Sequence, residues 1–136
     1  MGRSLQKFRE NLTNKLNFLL HDKAFADQFK IGRQSFSRNR KLSFVNLMVL
    51  LMHPLSKSIQ RELDDFFQRL NKSDFQIRTV TKGALTQARA KLQPEAFQAL
   101  DKVVRNGFYK DASHYTWDKY RVRVVDGSTI VLPQHG

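Results

Sequence analysis

The feature that most constrains the fold is an almost wholly apolar segment at residues 42–52, LSFVNLMVLLM. It is too short to span a bilayer, which takes about 20 apolar residues, so we expect no membrane partner. Ser43 predicts a helix N-cap, and Pro54 ends a helix that runs to His53. Because such a helix is apolar nearly all round, it has to be covered on most sides. We therefore predict that it forms the buried centre of a helical bundle.

Apolar residues on both sides of this segment recur at steps of three and four, as on one face of a helix. The predicted N-caps of these further helices are Asp22, Ser56 and Thr81, while Gly32 ends the second helix. Pro94 fits the first turn of the last helix, where its missing N–H costs nothing. The residues of the predicted apolar faces are Leu5, Phe8, Leu12, Leu16, Leu19, Phe25, Phe29, Ile59, Leu63, Phe66, Leu70, Leu85, Ala88, Leu92, Phe97, Leu100, Val104 and Phe108.

The pattern changes near the end of the chain. Residues 120–125 (YRVRVV) alternate between apolar and basic, Asp-Gly at 126–127 is a turn signal, and residues 129–132 (TIVL) predict a second strand. The sequence thus predicts a mainly α fold, with a helical domain at 1–110 and a β-containing part at 111–136. The connection between them is expected within 109–119.

Charge indicates what the helical part binds. The chain has 24 Lys and Arg against 12 Asp and Glu, a formal net charge of +12. The excess lies in residues 1–56 (ten basic, three acidic) and 57–110 (eleven basic, six acidic), whereas residues 111–136 are balanced. Cations that neutralise phosphates release condensed counterions, so the helical part is expected to attract a polyanion. The chain has no cysteine, which excludes disulfides and cysteine nucleophiles.

One candidate binding element is a helix-turn-helix-like unit at residues 57–92, whose second helix enters the major groove of DNA. Lysine and arginine can hold phosphates or guanine, and glutamine can pair with adenine. The alternative is the hydrated face of an amphipathic helix, and the link at about 71–80 is longer than the usual tight turn. The candidate residues on the second helix are Lys82, Thr86, Arg89 and Gln93, with Gln87 on their flank.

A second candidate is the basic segment 33–41, RQSFSRNRK, which contains no acidic residue. Its cations are Arg33, Arg38, Arg40 and Lys41. They are suited to tracking a phosphate backbone without reading sequence. A hydrated linker is the equally open alternative.

A third candidate is Asp126, which follows the predicted strand 120–125. A carboxylate at a strand end can bind a divalent metal for phosphoryl transfer. Asp-Gly is also a favoured hairpin turn, and a single carboxylate does not make a two-metal site. The residue pattern alone therefore favours the turn.

Two segments together resemble a known family. TKGALTQARAKLQPEAFQAL (81–100) and, about 20 residues later, YRVRVVDGSTIVLP (120–133) resemble insertion-sequence transposases of the DDE class, in the group named after insertion sequence four. The apolar helix and KSIQRELDDFF (57–67) are similar to the N-terminal region of these bacterial proteins. The resemblance extends over essentially the whole chain.

The resemblance implies that residues 1–110 bind the terminal inverted repeats of a DNA element. It implies that residues 111–136 begin a truncated RNase H-like catalytic domain, in which three carboxylates hold Mg²⁺. Asp126 matches the first of these carboxylates, and the second Asp and the final Glu have no counterpart. The chain is accordingly expected to be an incomplete enzyme, cytoplasmic and nucleoid-associated, acting as a homodimer or with full-length transposase.

Two alternatives remain open from the sequence. The chain could be a stand-alone DNA-binding regulator that competes for the same DNA ends. It could instead be a basic helical protein that binds RNA or anionic lipid without sequence preference.

Overall fold

A computed structural model describes residues 2–38, 40–111, 116–125 and 127. Within these residues the chain is mainly helical, with one two-stranded antiparallel hairpin, which confirms the predicted mainly α class. The helices are α1 (Gly2–His21), α2 (Lys23–Phe29), α3 (Phe44–Met52), α4 (Ile59–Leu70), α5 (Lys82–Arg89) and α6 (Glu95–Asp111), and the strands are β1 (Thr116–Trp117) and β2 (Tyr120–Arg121). None of the described helices combines the length and apolar character that crossing a bilayer requires.

The apolar helix α3 lies in the core, as predicted. Leu47 and Met48 are fully buried and Leu50 is nearly so, where α3 packs against α1 and α5. Val49 and Met52 are exposed, however, so the helix is covered on one side and not all round. This difference arises because the neighbouring helices of a small bundle cover only part of its circumference.

Helix α4 buries a different line of side chains from the predicted one. Ile59 and Leu70, the two ends of the predicted apolar stripe, are exposed to solvent. Leu63 and Phe67 are almost completely buried. Leu63 and Phe67 are four residues apart and therefore share a helix face. The buried face is thus rotated by about one residue relative to the prediction, towards Phe67 and away from Phe66.

Three of the predicted N-caps are confirmed. The side chains of Asp22, Ser43 and Thr81 accept hydrogen bonds from backbone N–H groups two or three residues later, at 3.0–3.2 Å. Each satisfies a donor that the first turn leaves without a helical partner. The predicted N-cap of α4, Ser56, is wrong by two residues, because Ser58 directly precedes this helix.

Glu62 explains the shifted start of α4. Its Oε1 accepts hydrogen bonds from the backbone N–H groups of Ser56 (3.0 Å) and Lys57 (2.8 Å). The carboxylate thereby ties the chain before α4 to its first turn, and Ser58 makes no side-chain cap bond. These two hydrogen bonds lower the pKa of Glu62 below its ordinary value of 4.5.

We expect Glu62→Gln to remove part of the acid sensitivity of the protein. Because the folded-state pKa of Glu62 is lowered, its stabilising contribution is complete above about pH 4.5 and is lost as the pH falls through the folded-state pKa. The thermal midpoint of the wild type should therefore fall more steeply than that of the variant below this pH. Parallel melting curves of the two proteins in acid would contradict this role.

The described hairpin joins β2 to the strand before it. Tyr120 pairs with Trp117 and Arg121 pairs with Thr116, a pairing that the sequence pattern did not predict. Asp118 and Lys119 form the turn with positive φ angles of 42° and 62°, as a twisted two-residue hairpin turn requires.

The predicted strand 120–125 is only partly formed, because β2 ends at Arg121 and residues 122–125 are not in a strand. The Arg121 guanidinium lies 4.1 Å from the ring centroid of Tyr109, which ties the hairpin to α6. Asp126 and the predicted strand 129–132 lie outside the described residues.

Candidate nucleic-acid interface

Helix α5 is fixed to α4 at its N-terminal end by one glutamine. The Gln60 amide oxygen accepts a hydrogen bond from the Lys82 N–H at 3.0 Å, and its Nε2 donates to the Val80 carbonyl at 2.9 Å. Gln60 also donates to Asp64, which forms an ion pair with Arg78 at 3.3 Å. No local sequence pattern indicates this role, because Val80 and Lys82 lie 20 and 22 residues from Gln60 along the chain.

The connection between α4 and α5 is long but held by side chains. Gln68 donates to the Ser73 carbonyl at 3.2 Å, the Ser73 hydroxyl donates to the Phe75 carbonyl at 2.8 Å, and Gln76 bonds to Asp65. The pair of helices therefore departs from a helix-turn-helix with a turn of three or four residues. The anchoring nevertheless gives α5 a defined position on α4.

The other end of α5 is joined to the chain that follows α2. The N–H of Ile31 donates to the Lys91 carbonyl at 2.7 Å, and the N–H of Gln93 donates to the Phe29 carbonyl at 2.8 Å. This short antiparallel bridge brings the basic segment 33–41 beside α5. Two predicted candidate elements, far apart in sequence, thus become neighbours.

The described residues of the basic segment form a turn that is anchored to the helical bundle. Phe36 is partly buried and packs edge-on against Phe44 with ring centroids 5.7 Å apart. Asn46 on α3 donates to the Lys41 carbonyl at 2.9 Å, and the Ser37 hydroxyl donates to the Gln34 carbonyl at 2.6 Å. The partly buried ring of Phe36 holds the polar residues around it in place.

A groove of about 530 Å³ lies between this turn and α5. The buried residues that line it, Leu42, Val80 and Ala88, are apolar. Among the described residues, four cations line it, namely Arg38, Arg40, Lys41 and Lys91, and no acidic residue does.

None of these four cations takes part in an ion pair within the described ranges 2–38, 40–111 and 116–125. The ion pairs found there lie elsewhere: Asp27–Lys30, Asp65–Lys57, Asp64–Arg78 and Asp101–Arg105. These four acids are compensated away from the groove, and no ion pair in the described part of the chain neutralises the cations of the groove.

The groove contains some of the predicted binding residues. Arg38, Arg40, Lys41 and Gln87 line it, and Lys91 joins them although it was not among the predicted residues. The position of Lys91 follows from the bridge beside Leu92, which no local pattern indicates.

Other predicted binding residues lie outside the groove. Arg33 and Lys82 are exposed but do not line it, while Thr86 and Arg89 line a separate hollow. Gln93 does not extend the polar stripe of α5, because the helix ends at Arg89 and the Gln93 backbone pairs with Phe29. The predicted stripe is therefore shorter than the sequence spacing suggested.

The predicted metal ligand Asp126 is outside the described residues. Within the residues that are described, no three His, Asp or Glu side chains come together as a metal site would need. Mg²⁺ chemistry thus rests on the resemblance alone, and no step of it follows from the described geometry.

We expect Gln60→Ala to loosen α5. The substitution leaves the Lys82 N–H and the Val80 carbonyl without their side-chain partner, and each hydrogen bond removed costs about 1 kcal/mol. Urea unfolding should show a loss of about 1–2 kcal/mol. The matched control is Gln98→Ala on the exposed face of α6, which should change stability little. Equal values for the two variants would contradict the anchoring role.

No protein-family model, curated protein or solved structure matches this chain. The groove is therefore interpreted from its own geometry and charge.

Proposed function

We propose that this chain binds duplex DNA through the groove between the 33–41 turn and α5. The observation that carries the proposal is the set of four cations, Arg38, Arg40, Lys41 and Lys91, around a groove that no acidic residue lines within the described part of the chain. Cations placed in this way neutralise consecutive phosphates and release their counterions. One strand of the duplex lies along the groove, and α5 faces the bases beside it.

The choice of duplex DNA over duplex RNA rests on α5. This helix has eight residues, and its outward side carries exposed residues between Lys82 and Arg89. An α-helix with its side chains is about 10–12 Å across. The major groove of B-form DNA is about 12 Å wide and admits a helix. The major groove of A-form RNA is deep and too narrow for side chains to read. In this proposal α4 supports and α5 reads, in a helix-turn-helix-like manner.

The proposal extends to the DNA-binding part of a DDE transposase. The segment 81–100, which carries half of the resemblance, forms α5, the bridge and the start of α6. It thereby supplies Gln87 and Lys91 to one wall of the groove. The terminal inverted repeats of a mobile element are accordingly the proposed partner, with DNA strand cleavage assigned to no described residue.

Fluorescence anisotropy with duplex DNA and duplex RNA of one sequence tests the proposal. We expect tighter binding of DNA and a salt slope of about −3.6, since each of four neutralised phosphates contributes about −0.9. Capture of fragmented genomic DNA, followed by sequencing, should recover pairs of matched inverted ends. Equal affinity for RNA, or an affinity that salt does not change, would overturn duplex DNA as the ligand.

A further inference from the structure

The uncharged polar side chains around the groove fall into two groups. The hydroxyls of Ser37 and Thr79 donate to backbone carbonyls of their own turns, at 2.6 Å and 3.2 Å. The Thr81 Oγ1 accepts the Ala84 N–H as the cap of α5. These three hydroxyls therefore serve the local structure.

The two carboxamides of the groove, on Gln34 and Gln87, do not serve the local structure in this way. Neither carboxamide makes a hydrogen bond in the part of the chain that the structure describes, and both residues are exposed. Gln34 comes from the anchored turn and Gln87 from α5, so they reach the groove from two different elements. By contrast, the carboxamides of Gln60 and Gln68 bond to the protein itself.

A carboxamide carries a donor and an acceptor side by side. The acceptor and donor of a carboxamide match the N6–H and N7 groups that adenine presents in the major groove. Lysine and arginine side chains that bind the phosphates of the DNA backbone carry no sequence information. We infer that Gln34 and Gln87 determine the sequence preference of the groove, each by pairing with an adenine. This inference rests on the proposed binding of duplex DNA.

The test begins with selection of a preferred site by the full chain from a library of randomised duplexes. We expect the site preferred by the wild type to contain at least two adenines. The Gln87→Ala variant should accept any base in place of one of them, and the Gln34→Ala variant should accept any base in place of another. On the selected site, replacing such an adenine by 7-deazaadenine should weaken binding by the wild type about 5- to 150-fold. The corresponding alanine variant should bind both sites equally.

Gln98→Ala is the matched control, because Gln98 is an exposed helical glutamine away from the groove. It should keep the wild-type preference at every position. Alanine is a strong helix former, so Gln87→Ala should keep its thermal midpoint. A variant that loses the base preference but keeps its thermal midpoint supports a direct contact with the base. A purely structural role of the glutamine would not explain that result.

Two results would overturn the inference. The first is a selected site without adenine, and the second is a wild-type preference that survives in both glutamine variants. Either result is compatible with the proposed function if Arg38, Arg40 and Lys41 are still required for DNA binding. If the charge variants bind as well as the wild type, the proposed groove itself is wrong.

Discussion

Replacing Arg38, Arg40 and Lys41 together with alanine is expected to weaken binding of duplex DNA by about 100-fold or more at about 50 mM salt. The substitutions remove three of the four cations of the groove, and each phosphate that is no longer neutralised makes the salt slope shallower by about 0.9. The slope should therefore change from about −3.6 to about −0.9. Anisotropy titrations at several salt concentrations measure both quantities.

The fold should survive this triple replacement. Phe36 supplies the apolar anchor of the turn, and the bond from Asn46 reaches the backbone carbonyl of Lys41 and not its side chain. Circular dichroism and the thermal midpoint should therefore resemble those of the wild type. A loss of DNA binding then reports on charge in the groove and not on unfolding.

A matched variant distinguishes the effect of the groove cations on DNA affinity from the effect of net charge. Replacing Arg9, Lys15 and Lys102 with alanine removes the same charge from exposed positions on α1 and α6, away from the groove. This variant should lose little affinity at short duplex length. If it loses as much as the groove variant, binding depends on overall charge, and the protein is the nonspecific polyanion binder that the sequence left open.

Leu47→Ala is expected to have the largest effect on stability, about 3–5 kcal/mol. Leu47 is fully buried in the middle of α3, so truncation loses the transfer free energy of the removed atoms and leaves a cavity. Domains of this size have a free energy of unfolding of about 5–15 kcal/mol, so the variant should lose a large share of it. Urea unfolding followed by circular dichroism measures the change.

Val49→Ala is the control for this prediction, because Val49 lies on the same helix and is 40% exposed. Its cost should stay below about 1 kcal/mol. Similar losses for both variants would show that α3 is covered on all sides, as the sequence first indicated. A small loss for Leu47→Ala would place the core elsewhere.

The helices and most of their caps could be predicted from the sequence because they depend on local interactions. A cap such as Asp22 or Thr81 bonds to an N–H two or three residues away, and that spacing is visible in the sequence. The charge of the 33–41 segment and the polar residues of α5 were visible for the same reason. The pairing of β2 with Thr116 and Trp117 was not predicted, because residues 120–125 carry the alternation of a strand but nothing in them selects the partner.

The tertiary structure alone decided where these parts meet. The bridge between Lys30 and Leu92 joins segments about sixty residues apart in sequence, and it places Lys91 beside Arg38 and Arg40 in one groove. Gln60 likewise fixes α5 through partners 20 and 22 residues away. Such contacts form only when the packed core brings distant backbone groups together, so short-range patterns in the chain contain no record of them.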